Sequence, residues 1–218
     1  RKLYQDNPDI ARHFTNERQG RIYGHIAMVH AYTPSWVIHH YSAKPLESKI
    51  PGLLILRQII HFINGCYRFP SFGMNYVMTY YRPDNQMVDK IFGGFSRELK
   101  NPKGSSLDLF AYLHREKSSG EEELSEGVLL RECRQEDFDI LKTFYEKASG
   151  GLLFDAFRPD LTMQPLNEKF SRAGFKRNCR TYCLCTGNRR LAFFIVNQSD
   201  VGLNLSDLLN SITVFVLE

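Results

Sequence analysis

The stretch Arg21-Ile-Tyr-Gly-His-Ile-Ala-Met-Val-His-Ala-Tyr32, the turn Thr33-Pro34-Ser35 and the run Trp36-Val-Ile-His-His-Tyr-Ser42 decide the fold. Both runs are rich in β-branched and aromatic residues, and the proline between them sets a turn, so they read as two strands of a hairpin. A strand at His13–Glu17 and a turn at Gln19-Gly20 add a third member in front, making a meander. After a loop through Pro45 and Pro51, Leu53, Leu56, Ile60 and Ile63 recur at helical spacing, and Asn64-Gly65 closes that helix. A strand at Asn75–Tyr81, a helix from Asp84 or Asn85 to about Leu99 and a strand at Leu107–His114 complete the order β-β-β-α-β-α-β.

The stretch from Lys117 to Gly127 is rich in Gly, Ser and Glu and has no apolar periodicity, so it reads as a linker. The expected organisation is residues 1–118, a linker at 119–127 and residues 128–218. Beyond the linker, Val128–Glu132 reads as a strand and Glu136–Lys147 as a helix with Phe138, Leu141, Phe144 and Tyr145 on one face. A helical patch at Leu166–Ala173 closes at Gly174, and strands follow at Arg180–Thr186, Leu191–Gln198 and Ile212–Leu217. This second order is β-α-α-β-β-β.

Length and composition agree with a folded α/β or α+β protein. The chain has 218 residues, 43% hydrophobic and 24% charged, near globular averages, which excludes disorder and a disulfide-stapled miniprotein. The longest apolar run, Ile50–Ile63, is interrupted by Arg57, Gln58 and His61, so no membrane span is expected. Lys and Arg outnumber Asp and Glu by 16 to 9 in residues 1–118, whereas in 119–218 the count is 12 to 15. The cations of the basic half stand singly, as on a solvated face, so nucleic acid is not the expected partner. Five cysteines without paired spacing point to a reducing, cytoplasmic setting. With no initial methionine and an apolar end, the sequence reads as a piece of something longer.

Taken together, several segments resemble the GNAT superfamily of acyl-CoA N-acyltransferases. Gly20-Arg-Ile-Tyr-Gly-His25 before a hairpin is similar to the family's third strand running into its fourth. Lys49-Ile-Pro-Gly52-Leu-Leu54 sits where the family keeps its pyrophosphate loop, and Asn85 to Phe95 looks like the family's helix after its fifth strand. Leu130-Arg-Glu132 with Glu136-Asp-Phe138 resembles the opening strand and helix of such domains. The resemblance implies a central mixed, mostly antiparallel sheet flanked by helices. The chain would hold the rear of one domain and the front of a second, arranged as a tandem or as a permuted whole.

It also implies a site. Acetyl-CoA or another acyl-CoA would lie along Tyr41, Ser42 and Ala43 and meet Lys49, Ile50, Gly52, Leu53 and Leu54 at the start of a helix, with Asn85 nearby. Such a loop binds pyrophosphate because it aims backbone N–H groups and the positive end of a helix at it. Pro51 has no N–H to give, and Leu54 is bulkier than the family's small residue. Acyl transfer also needs a base and an acid. His39 is the candidate base, since strand alternation groups it with Tyr41, opposite Ile38 and His40. The family's tyrosine acid falls on Phe92, which leaves Tyr81, with Tyr80, to supply a hydroxyl. The partner expected is a small-molecule or amine-bearing substrate, with a homo-oligomer left open. No metal is expected, because Cys179, Cys183 and Cys185 lack further ligands nearby and read as core residues. The competing function is a GNAT-like domain that has lost catalysis and serves binding or dimerisation.

Overall fold

Each of the first three strands forms where its sequence places it. The computed structural model describes residues 2–44, 50–114, 123–200 and 209–217. In it β1 (Ala11–Arg18), β2 (Arg21–Tyr32) and β3 (Ser35–Ala43) pair antiparallel in succession. Helix α1 (Ile50–Cys66) then leads to β4 (Tyr76–Thr79), which lies parallel to β3 and gives the sheet order β1-β2-β3-β4. A helical stretch follows, made of α2 (Gln86–Val88), a π turn at Asp89–Gly93 and α3 (Gly94–Leu99). Next come β5 (Val128–Glu132), α4 (Gln135–Ser149), α5 (Leu152–Phe157) and α6 (Gln164–Arg172). Strands β6 (Arg177–Thr186), β7 (Arg189–Ser199) and β8 (Ile212–Val216) complete a second sheet in the order β5-β6-β7-β8. The architecture is therefore mixed α+β, with two mostly antiparallel four-stranded sheets.

The chain divides into two compact units. Unit 1 holds Arg1–Arg82, Ala156–Cys179 and Asn197–Ser211, and unit 2 holds Pro83–Asp155, Arg180–Val196 and Ile212–Glu218. The linker expected at 119–127 falls inside the span of unit 2, and its residues up to 122 lie outside the described ones.

In unit 1, α1 packs on one face of the first sheet. Phe62 meets Phe14 at 5.1 Å between ring centroids, and the Arg12 guanidinium stands 5.0 Å over Phe62. Ile55, Leu56 and Ile59 of α1 are buried, as are Ile26, Met28, Trp36 and Ile38 of the sheet. Leu53 and Ile60, expected on the buried stripe, are 60% and 53% exposed. Apolar residues surround this helix on nearly every side, so its pattern does not fix which side faces the sheet.

In unit 2, α4 packs on the second sheet through Leu141 and Tyr145, whose ring lies edge-on to Phe215 at 5.3 Å. The start of α4 is pinned by Asp137, fully buried, which accepts from Arg131 Nη1 at 2.6 Å and Nη2 at 3.0 Å, Arg190 Nε at 3.0 Å and the Arg134 N–H at 2.8 Å. Burial alone would push this carboxyl up, but those donors outweigh it and hold it well below the usual carboxylate range. The strand expected at Leu107–His114 does not form, and Leu109 and Leu113 are 87% and 88% exposed. Alternating residues supply strand propensity there, but a strand exists only with a neighbour, and no described strand pairs with it. Helix α5 escapes the sequence reading because six residues are too few to show a helical period.

Candidate functional site

Two irregularities in the first sheet decide which side chains meet. Between Asn16 and Glu17 the β1–β2 register slips by one residue, so that His13 stands opposite Ala27. Between β2 and β3 the register shifts again, because Ala27 faces His39 while His25 faces Ser42. The extra residue on β3 lies at His40, whose φ of 53° is left-handed. Residues directly opposite share a sheet face, so His13, His25, His39 and Ser42 stand on one face. After the bulge, Tyr41 and Ala43 turn to the α1 face. The alternation that grouped His39 with Tyr41 is therefore corrected, because a one-residue slip sends every later side chain to the opposite face.

The Tyr41–Ala43 segment lies against the first turn of α1. A Cβ at Gly52 would stand 2.6 Å from the Tyr41 hydroxyl and 3.5 Å from the Ala43 Cβ, so the missing side chain permits the approach. Gly52 is buried, while Leu53 and Leu54 are exposed. Ile50 is the first residue of α1, and Lys49 lies outside the described residues. Ser42 is exposed and Tyr41 half-buried, where burial raises its phenol pKa.

Strand β4 covers only the first part of β3. Strands β3 and β4 pair only from Ser35 opposite Tyr76 to Ile38 opposite Thr79. Beyond that point β3 continues through His39–Ala43, and its β4-side edge has no ladder partner among the described residues. Tyr81 follows the end of β4 and is half-buried. Asn85 belongs to unit 2, where its side chain accepts from the Val88 N–H at 3.3 Å and caps α2. Phe92 also belongs to unit 2, in the π turn.

No protein-family model matches this chain, and no curated protein does. What the site can do thus rests on its own geometry.

His39 is only 9% exposed, and neither Nδ1 nor Nε2 has a hydrogen-bond partner among the described residues. Burial, with His40 and His13 adding like charge, lowers its pKa to about 4. The His40 ring stands 4.6 Å from it, His13 and His25 meet at 5.3 Å, and Tyr4 packs on His13 at 5.2 Å. Four imidazoles thus gather on adjoining strands. The sequence reading singled out His39 and His40 but not His13 and His25, because only the slip at Asn16/Glu17 brings His13 onto the face of His25. Among the described residues no group of three His, Cys, Asp or Glu side chains is placed to hold a metal. None of the described helices is long and apolar enough to cross a membrane.

Proposed function

We propose that unit 1 binds an acyl-CoA along the open edge of β3 and the start of α1, and that the protein transfers the acyl group to an amine, as a GNAT-like N-acyltransferase. The observation that carries this reading is the parallel β3–β4 pair, connected through α1, whose ladder stops at Ile38 and Thr79 while β3 runs on through Ala43. An acyl-CoA arm carries amide groups that can pair with such an unladdered edge. The first turn of α1 has N–H groups without helical acceptors, suited to phosphate, and the buried Gly52 lets that turn reach Tyr41 and Ala43.

In the reaction, a neutral amine attacks the thioester carbonyl carbon, a C–N bond forms and the C–S bond breaks. His39, neutral at pH 7, accepts the proton released by the amine, and Tyr81 donates one to the departing thiolate. The low basicity of His39 requires the amine to arrive already deprotonated. Release of free CoA thiol from acetyl-CoA and a longer acyl-CoA, measured against a panel of amines, tests this. His39→Asn should lower kcat by roughly 10² to 10⁴-fold, the usual contribution of a general base. Thiol release unchanged by that variant would remove His39 from the mechanism.

A second reading, a binding module without catalysis, is favoured by the same low basicity and by Phe92 in place of a tyrosine acid. Acyl-CoA binding without thiol release from any amine would assign it.

A further inference from the structure

Unit 1 buries a positive charge that no other described residue neutralises. Arg177, at the start of β6, is 8% exposed. Its Nη2 donates to the Ala31 carbonyl, its guanidinium lies 5.2 Å over the Phe170 ring, and its Nη1 has no partner among the described residues. The titratable groups that act on it are Cys179 and Tyr32, and no carboxylate is among them. Burial pushes the Cys179 thiol up, with Arg177 pulling the other way, and puts the Tyr32 phenol well above its ordinary value, so both are neutral at pH 7. Arginine does not escape by losing its proton, even though burial lowers its pKa. Nearby His30 is held down to about 4 mainly by burial, against a bond to Thr33, with Lys169 and Arg177 adding positive charge.

Besides the Ala31 carbonyl, the polar groups near that guanidinium are a phenol and, bonded to it, an amide, and each carries both a donor and an acceptor. The Tyr32 hydroxyl lies within reach of Arg177 electrostatically and 3.3 Å from Asn197 Nδ2, while Asn197 Oδ1 has no partner. Which amide atom of Asn197 points where is assigned by its bonds. With the amide turned over, Tyr32 donates to Oδ1 and Nδ2 becomes free to donate elsewhere. A buried guanidinium that keeps an unpartnered N–H and meets no counter-charge among the described residues lacks one component, a negative charge.

We propose that Arg177, Tyr32 and Asn197 form an internal site for a small monovalent anion, a halide or a compact carboxylate, which completes the fold of unit 1. The site stands apart from the acyl-CoA reading and does not depend on it. Both ligand types share one negative charge and acceptor character, and the burial of Arg177, Tyr32 and Asn197 favours small size.

Urea unfolding of the whole chain at fixed ionic strength tests the proposal, with chloride, formate or acetate replacing the bulky anion gluconate. Above its Kd, each tenfold rise in a bound anion should raise the folding equilibrium constant about tenfold. Arg177→Met should abolish this dependence, and Arg177→Lys, which keeps the charge but loses the fork, should weaken it at least tenfold in Kd. A response to chloride and formate but not acetate assigns a site for the smallest anions, and a response to formate and acetate without chloride assigns a carboxylate site. If Arg177→Met does not fold, broadening of the chloride-35 resonance by the wild type, displaced by formate and weaker with Arg177→Lys, carries the test. A wild type indifferent to all three anions, or one that responds as Arg177→Met does, overturns it.

Discussion

Asp137 in unit 2 and Arg177 in unit 1 are buried to nearly the same degree, yet the protein treats their charges in opposite ways. Asp137 is met by two guanidinium groups and a backbone N–H. Arg177 has one carbonyl, an aromatic face and a vacant donor. His39, likewise in unit 1, has two ring nitrogens without partners among the described residues. Compensated burial of this kind holds a helix onto a sheet. Uncompensated titratable groups are more often found where a ligand supplies what is missing, which places the candidate chemistry in unit 1.

The comparison breaks most visibly at Asp137. Replacing it with Asn leaves Arg131 and Arg190 facing a neutral amide, and the loss should be about 3 kcal/mol or more in urea unfolding. A loss below about 1 kcal/mol would show that the ion cluster is dispensable and the contrast between the units false.

Acid should separate the units next. His30 and His39 have folded pKa values of about 4, below the ordinary 6.5. The unfolded chain therefore binds their protons first, and the stability they confer is full above pH 6.5 and is lost as pH falls from there to 4, by up to about 3 kcal/mol each. Asp137 has the reverse dependence. Its pKa is depressed, so its contribution holds above about pH 4 and is lost only below that. Fluorescence of Trp36, the sole tryptophan, which stacks on His30 in unit 1, should change between pH 6 and 4, before amide-exchange protection of β8 in unit 2 is lost. Coincident loss of both below pH 4 would contradict this.

A smaller effect concerns the approach of α1 to β3. Gly52→Ala should cost about 1 kcal/mol, since the added carbon meets the far end of a flexible side chain, and Tyr41→Phe on the same chain should recover most of it. Equal costs with and without the Tyr41 hydroxyl, measured by the same urea unfolding, would show that this contact does not limit the packing.

The sequence was most legible where local chemistry and neighbours agree. The run Arg21–Tyr32 is a strand with those same ends, and Gly174 closes α6 with φ 73°. It was least legible where a single residue slips. Nothing in His39-His-Tyr41 announces that His40 takes a left-handed backbone, and that one torsion moves Tyr41 away from His39 and toward Gly52. The slip at Asn16/Glu17 is equally silent, which kept His13 and His25 out of the candidate site. Asn197 reaches Tyr32 across 165 residues of sequence and Arg177 reaches Ala31 across 146, meetings that no local pattern encodes.

The central claim is that the open edge of β3 and the first turn of α1 take an acyl-CoA, and calorimetric titration tests it most directly. Wild-type protein titrated with acetyl-CoA and a longer acyl-CoA should bind with one site per chain. Gly52→Val, which forces a branched side chain toward Tyr41 and Ala43, should weaken that binding at least tenfold while circular dichroism shows the fold retained. Absence of heat and of competition with either acyl-CoA, or binding that Gly52→Val leaves untouched, would contradict the account.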